Sequence, residues 1–154
     1  MEDNGKIRVG ITHGDINGVG YEVILKSFSD PAMLELCTPI VYGSPKVATY
    51  HRKAMDVQTS FTIINNVDDA QDGKLNILNC TEDELKVELT KATPEAGKAA
   101  LDALEKALQD YREGGIDVLV TAPINKHTIQ SDAFHFPGHT EYIEERVGNN
   151  RKAL

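Results

Sequence analysis

The chain of 154 residues contains no tryptophan, two cysteines and no apolar run approaching the roughly 20 residues that a membrane-spanning helix needs. We therefore expect no membrane segment. Basic residues are scarce, because Lys and Arg total 16 against 24 for Asp and Glu, and the net charge is −8. This balance argues against the broad basic surface that nucleic acid requires. Cys37 and Cys80 lie far apart and outside any CxxC or histidine-rich motif. They predict neither a disulfide framework nor a zinc site, and we expect both to be small buried hydrophobic residues.

The remaining composition is that of an ordinary globular protein, with 40% hydrophobic and 26% charged residues. The first residues, MEDNGKIRVGI, lack the basic start and apolar core of a signal peptide, which favours a cytoplasmic location. The length suits one compact unit spanning residues 1–154, or part of a larger protein. No repeat, low-complexity tract or linker marks a domain boundary.

Short apolar segments alternate with helical segments along the chain. The run KIRVGIT predicts a strand that ends at the glycine-rich turn HGDINGVG, and YEVILKSF carries apolar residues at helical spacing. Further strands are predicted at PIVYG, FTIIN and KLNIL, with a solvated Asp-rich loop between the last two. Cap-plus-proline pairs indicate three more helix starts. These pairs are Asp30-Pro31, Ser44-Pro45 and Thr93-Pro94.

The clearest predicted helix runs from Thr93-Pro94 to Gly114-Gly115. Its apolar stripe consists of Ala96, Ala99, Ala100, Ala103, Leu104, Ala107, Leu108 and Tyr111. The run IDVLVTAP that follows is typical of a strand covered on both faces. Alternation of this kind predicts an α/β domain with a mostly parallel sheet flanked by helices.

The glycine-rich turn is the first candidate ligand loop, because ligands of open α/β sheets bind beyond the carboxyl ends of strands. Gly14, Gly18 and Gly20 would let a ligand or cofactor approach the backbone closely. Their spacing, G-x-x-x-G-x-G, matches neither the dinucleotide fingerprint nor the P-loop, so a turn needed only for chain geometry is an equal alternative. Asp15 could orient a substrate hydroxyl or form an Asx-turn. His13 could act as a ligand or acid-base group, or simply be hydrogen-bonded.

The second candidate loop follows the strand IDVLVTAP. Pro123 ends that strand, and Asn125 and Lys126 come directly after it. A lysine there could neutralise a phosphate or carboxylate, and an asparagine could bind a hydroxyl or amide. The alternatives are an exposed surface lysine and a helix cap.

A His-Thr pair stands further along the same segment, between a Phe-Pro-Gly turn and the acidic run EYIEER. Thr140 is a candidate N-cap for a helix, and His139 would lie in the same first turn. The glutamates that follow oppose a bound phosphate, so a neutral histidine and a hydroxyl that bind polar groups of a substrate fit better than a purely electrostatic anion site. A capping threonine beside a surface histidine is the alternative.

Three blocks together, ITHGDINGVGYE, LVTAPINKHTI and FPGHTEYIEER, resemble the amino-terminal part of the 4-hydroxythreonine-4-phosphate dehydrogenase family. The order and the separations of the blocks match, and the block from Val120 to Arg146 is the specific part. The resemblance implies a fold like that of isocitrate and isopropylmalate dehydrogenases. It also implies that His139 and Thr140 bind substrate.

The resemblance further implies the chemistry of the whole enzyme. Members oxidise the secondary alcohol of a phosphorylated hydroxy amino acid with NAD or NADP in vitamin B6 synthesis, and the β-keto acid then loses CO2. They are homodimers with a divalent metal, such as zinc, magnesium or cobalt, held by three histidines. By the family pattern these histidines lie beyond Leu154, so no metal ligand is expected in this chain. We expect residues 1–154 to be the amino-terminal part of a longer two-domain enzyme and to be inactive alone.

Three positions depart from the family pattern. Ile16 stands where proline is usual, Tyr21 where proline or serine is usual, and His13 where a proline or small residue is common. These departures leave open whether the substrate is 4-phosphohydroxy-L-threonine, 4-phosphothreonate or 4-phosphoerythronate. A non-catalytic domain that binds a phosphorylated ligand or takes part in assembly is the alternative of another class.

Overall fold

The structure is a computed structural model, and it describes residues 6–81, 85–124 and 142–144. Strands and helices alternate along these residues, as the sequence predicts. The strands are β1 (Ile7–Thr12), β2 (Cys37–Gly43), β3 (Thr62–Ile64), β4 (Asn76–Asn79) and β5 (Val118–Thr121). The helices are α1 (Gly20–Ser27), α2 (Pro31–Leu36), α3 (Pro45–Ala54) and α4 (Pro94–Arg112), with a short 3-10 helix at Val67–Asp69. None of the described helices is long and apolar enough to cross a membrane.

The five strands form one sheet in the order β3-β4-β2-β1-β5, and every neighbouring pair is parallel. At the carboxyl end of β1, Thr12 pairs with Tyr42 of β2 on one side and with Thr121 of β5 on the other. Since the strands are parallel, their carboxyl ends meet at one edge of the sheet. The predicted α/β architecture with a parallel sheet and flanking helices is confirmed.

The three predicted cap-plus-proline signatures all begin helices. The side chains of Asp30, Ser44 and Thr93 accept main-chain N–H bonds of 3.0, 3.2 and 3.2 Å. Each bond satisfies one of the N–H groups that a helix start leaves without a partner. These short local patterns therefore define where α2, α3 and α4 begin.

Helices cover the sheet on both faces. One face buries Ile11, Val41 and Ile77 against α1 and α3, whose contacts include Ile24, Leu25, Val47 and Ala48. The other face buries Ile40, Tyr42 and Leu78 against Ala103 and Ala107 of α4. The alanines of α4 let its backbone lie close to the sheet, as the sequence predicts.

The predicted apolar stripe of α4 is wrong at its last residue. Tyr111 is 41% exposed, whereas the neighbouring Asp110 is only 3% exposed. Asp110 tolerates burial because Tyr42 donates a hydrogen bond of 2.7 Å to its carboxylate and Lys106 forms an ion pair with it at 3.3 Å. Partners of this kind offset part of the cost of removing a carboxylate from water.

Three other expectations differ from the structure. Val118 and Val120 of β5 are exposed, so the strand predicted to be covered on both faces is open on the face that carries these valines. The Asp-rich loop is not wholly solvated, since Val67 packs into the core from the 3-10 helix. Cys37 and Cys80 are half-buried rather than buried.

Candidate functional site

The chain reverses its direction across the sheet at β1. It passes from β1 to β2 on one side, and later crosses from β4 through α4 to β5 on the other side. In open α/β sheets such a reversal leaves a crevice beyond the carboxyl ends of the two diverging strands, where ligands bind. The glycine turn follows β1, and the loop that contains Asn125 and Lys126 follows β5. Both candidate loops therefore leave the sheet at its switch point.

The structure brings the glycine turn into contact with the end of β5. The main-chain N–H of Asp15 donates a hydrogen bond of 2.9 Å to the carbonyl oxygen of Pro123. Gly14 has a φ of +68°, and a Cβ atom there would overlap the same carbonyl oxygen. The two loops thus meet at Pro123. Four predicted site residues lie outside the described residues, namely Asn125, Lys126, His139 and Thr140.

His13 is a buried part of the core and not a solvated loop histidine. Its Nε2 lies 2.9 Å from the carbonyl oxygen of Ala99 and its Nδ1 lies 2.8 Å from the hydroxyl of Tyr21. Burial lowers the pKa of His13 to about 4, although the Ala99 carbonyl and Asp102 oppose this shift. The imidazole is therefore neutral at physiological pH. Both ring nitrogens already have partners, so an acid-base role for His13 is not supported.

Asp15 forms the Asx-turn that was the alternative to a ligand role. Its Oδ1 accepts a hydrogen bond of 3.0 Å from the N–H of Asn17, and its carbonyl oxygen accepts one of 3.0 Å from Gly18. The second carboxylate oxygen, Oδ2, accepts no hydrogen bond from any described residue. A substrate-binding role for Asp15 would therefore use Oδ2.

The three glycines of the turn each approach the chain itself closely. Gly14 lies against Pro123, and Gly20 faces the carbonyl oxygen of His13, with its ideal Cβ position 3.2 Å from the Cβ of Ala122. Gly18 lies near Asp15. This packing alone accounts for glycine at positions 14 and 20, where a side chain would collide with main-chain atoms. A cofactor contact at Gly14, Gly18 or Gly20 remains a prediction.

Asn17 is a buried residue that hydrogen-bonds to a distant segment of the chain, and sequence reasoning missed it. Its Oδ1 accepts a hydrogen bond of 2.7 Å from the N–H of Glu88, and its Nδ2 donates to the carbonyl oxygen of Lys91 at 3.0 Å. Its own carbonyl oxygen accepts the N–H of Thr90, which has the left-handed φ of 66°. Asn17 therefore holds the segment before α4 against the glycine turn. These partners lie more than 70 residues away, so no local pattern indicates them.

Replacing Asn17 by alanine should lower the free energy of unfolding by about 2 kcal/mol, because partly buried main-chain groups of Glu88 and Lys91 would lose their partners. The matched control is Asn65→Ala, since Asn65 is exposed and makes no side-chain hydrogen bond to a described residue. We expect a change within about 0.5 kcal/mol for the control. Urea denaturation of both variants measures the difference. Equal losses of unfolding free energy in the two variants would show that the hydrogen bonds of Asn17 do not stabilise the fold.

A cavity of about 360 Å³ lies beside the segment that Asn17 holds. Its wall combines the segment after β4 with the first turns of α4. The lining residues are Thr81, Leu85, Lys86, Glu88, Glu95, Lys98, Ala99 and Asp102. Lys98 and Asp102 pair with each other at 3.0 Å. Two ammonium groups face three carboxylates, so the cavity has no strong preference for one sign of charge.

The described residues contain no group of three or more His, Cys, Asp or Glu side chains placed to hold a metal ion.

The acidic run after the His-Thr pair is helical at residues 142–144 and lies on α4. Tyr142 is buried against Leu101, Leu104 and Leu108, and its hydroxyl donates a hydrogen bond of 2.9 Å to the carboxylate of Glu105. The predicted helix is present at these three residues. Tyr142 therefore packs against the apolar side chains of α4.

A parallel sheet with two polar loops at its switch point is the arrangement typical of ligand-binding α/β domains. Comparison with known proteins shows to which family this domain belongs. The family described as "Pyridoxal phosphate biosynthetic protein PdxA" matches residues 35–154, and the chain belongs to this family. The family predicted from the sequence is thereby confirmed.

Individual relatives show the same likeness. A 4-hydroxythreonine-4-phosphate dehydrogenase of Bacteroides thetaiotaomicron is 71% identical over 154 residues, which are 100% of this chain and 42% of that protein. A protein of Oceanobacillus iheyensis, provisionally named a D-threonate 4-phosphate dehydrogenase, is 35% identical over 140 residues, which are 89% of this chain and 42% of that protein. The chain thus spans less than half the length of these curated relatives.

A solved structure agrees with the sequence comparisons. The crystal structure of a 4-hydroxythreonine-4-phosphate dehydrogenase from Burkholderia phymatum matches with a TM-score of 0.82 at 28% identity. The match covers 93% of this chain and 44% of that one. The fold is therefore of the isocitrate dehydrogenase-like type, and the described residues contain five of its parallel strands.

Proposed function

We propose that this chain forms the amino-terminal part of a dehydrogenase that oxidises 4-phosphohydroxy-L-threonine in the synthesis of pyridoxal 5′-phosphate. The observation that carries the proposal is the 71% identity to the Bacteroides thetaiotaomicron enzyme over the entire chain. The switch-point geometry supports it, because both candidate ligand loops leave the sheet side by side. The cofactor would be NAD or NADP, with a divalent metal bound by residues outside those described.

The residues of this chain would bind and orient the substrate. His139 and Thr140 would hold polar groups near the carbon that is oxidised, and Lys126 would neutralise a negative group of the substrate while Asn125 binds a hydroxyl. Asp15 would accept one hydrogen bond from the substrate through Oδ2. The nicotinamide cofactor, when bound, would accept the hydride. We further propose that the protein is a homodimer and that it is located in the cytoplasm. Sedimentation of the purified protein would test the homodimer.

A second candidate substrate is 4-phosphothreonate, which the Oceanobacillus iheyensis relative favours by its name. This compound carries a hydroxyl where 4-phosphohydroxy-L-threonine carries an amino group. At neutral pH the amino group is a charged donor and the hydroxyl is a neutral donor and acceptor, so a site can favour one over the other by its own charge. The ratio of kcat/KM for the two substrates would therefore distinguish the candidates.

The 154-residue chain alone should reduce no NAD or NADP with either substrate, with zinc or magnesium added, because it corresponds to only 42% of the Bacteroides thetaiotaomicron relative. A fusion of this chain to the part of the Bacteroides thetaiotaomicron relative that follows the matched region should restore turnover. Nicotinamide absorbance measures both reactions. Turnover by the chain alone would contradict the partial-site proposal. A folded, inactive fusion would contradict the dehydrogenase itself, provided that the unmodified relative is active in the same assay.

A further inference from the structure

Two residues that depart from the family pattern, His13 and Tyr21, contact each other in the core. The hydroxyl of Tyr21 lies 2.8 Å from Nδ1 of His13, and the two rings meet edge to face with centroids 5.5 Å apart. Both side chains are buried. The departures are therefore parts of one packing arrangement and do not present new groups to a ligand.

The hydrogen bonds of this pair fix the direction of every proton. The carbonyl oxygen of Ala99 can only accept, so Nε2 of His13 carries the proton and Nδ1 is the acceptor. Tyr21 therefore donates its hydroxyl proton to Nδ1, and its oxygen accepts the N–H of Ser44 at 2.9 Å. One continuous chain of bonds joins the start of α3, helix α1, the end of β1 and helix α4.

Gly43 leaves the space that the pair occupies. A Cβ atom at this position would overlap the hydroxyl of Tyr21 and would lie 2.7 Å from Nδ1 of His13. The ring of His51 stacks on Tyr21 from the other side, with centroids 5.4 Å apart. The residue types at positions 13, 21 and 43 therefore depend on one another, since any side chain at position 43 would collide with those of His13 and Tyr21.

The main chain of His13 is where the glycine turn begins. Its N–H donates to the carbonyl oxygen of Tyr42 at 3.1 Å, and its carbonyl oxygen packs against Gly20. His13 is therefore held through its main chain and through both ring nitrogens. Two residues later, the N–H of Asp15 reaches the carbonyl oxygen of Pro123.

We propose that His13 is a positioning residue of the glycine turn: held by Tyr21 and Ala99, it places the N–H of Asp15 on the carbonyl oxygen of Pro123. It thereby sets the end of β5, from which the loop of Asn125 and Lys126 continues. The relevance of this contact to catalysis rests on the proposed function, whereas the contact itself does not. Substrate choice is then not determined by the departures at positions 13 and 21.

Tyr21→Phe tests the proposal, because it removes one hydroxyl and keeps the ring. Amide hydrogen exchange should show at least a tenfold loss of protection at Asp15 beyond any loss at the core amides of Val41 and Ile77. Tyr111→Phe is the matched control, since Tyr111 is exposed, and it should leave protection at Asp15 unchanged. The nitrogen NMR spectrum of the unmodified chain should show His13 protonated at Nε2 and not at Nδ1.

Equal losses at Asp15 and at the core amides would overturn the proposal, because Tyr21 would then only stabilise the fold as a whole. A proton on Nδ1, or an unprotected Asp15 amide in the unmodified chain, would overturn it even if Tyr21→Phe failed to fold. None of these measurements uses substrate. An inactive fusion enzyme would therefore contradict the proposed function and leave the role of His13 intact.

Discussion

Replacing Gly14 by alanine should lower the free energy of unfolding by about 3 kcal/mol, the sum of two effects. Gly14 has a φ of +68°, and a residue with a Cβ atom loses about 1 to 2 kcal/mol in this left-handed region. The new methyl group would also overlap the carbonyl oxygen of Pro123 and lie 2.9 Å from that of Ala122. Main-chain atoms cannot rotate away as a flexible side chain can, and overpacking of this kind costs about 1 to 3 kcal/mol.

Gly73→Ala separates the two effects. Gly73 has nearly the same φ, +73°, but a Cβ atom there would meet nothing within 4 Å. We expect this control to lose about 1 kcal/mol, from the backbone conformation alone. Urea denaturation of both variants gives the difference, which measures the contact between the glycine turn and β5. Equal losses would show that the contact contributes nothing to stability.

The main features of the fold could be predicted from local patterns. The proline and cap residues at Asp30, Ser44 and Thr93 each act within three residues of their own position, and each starts a helix as predicted. Alternation of strands and helices then favours parallel pairing, because a crossover helix joins parallel strands. Information of this kind is local, so a single sequence shows it.

The details of the candidate site could not be predicted, because they depend on contacts between distant residues. The partner of His13 at Ala99 lies 86 residues away, and the partners of Asn17 lie 71 to 76 residues away. The pattern of the turn, three glycines among polar residues, is the same whether those polar side chains face a ligand or the core. The structure shows that His13 and Asn17 face inward. The exposure of Val118 and Val120 is equally unpredictable, since an apolar run does not reveal which helices cover it.

The glycine turn therefore connects parts of the fold as well as bordering the crevice. Its main chain contacts β5 through Asp15, its Asn17 side chain holds the segment before α4, and its His13 ring reaches α4 itself. A change at Asn17 or His13 should alter the position of the crevice wall without touching a ligand. Effects of such changes on substrate affinity are then expected to accompany losses of stability.

The stability of the protein should fall as the pH falls from 6.5 to 4, because of His13. Its pKa is about 4 in the folded chain, where burial disfavours the charged ring, against 6.5 for an exposed histidine. Above pH 6.5 both the folded and the unfolded chain hold the ring neutral, so the histidine has no effect on stability there. Below pH 6.5 the unfolded chain binds the proton and the folded chain does not, which favours unfolding. The loss approaches about 3 kcal/mol near pH 4, at 1.36 kcal/mol per pKa unit.

The groups that face the imidazole determine this pH dependence. Asp102 and the Ala99 carbonyl, both on α4, raise the pKa, His51 on α3 lowers it, and the Tyr21 hydroxyl on α1 occupies Nδ1. Denaturation curves from pH 7 to 4 measure the free energy of unfolding, and subtracting the curve of His13→Gln removes the contribution of carboxylates and the other histidines. We expect the difference between the two proteins to shrink by about 2 kcal/mol between pH 6.5 and pH 5. An NMR titration of the unmodified chain should show the ring of His13 still neutral at pH 5. A midpoint near 6.5 would mean that the ring is solvated. The hydrogen bonds by which His13 joins β1 to α1 and α4 would then be absent.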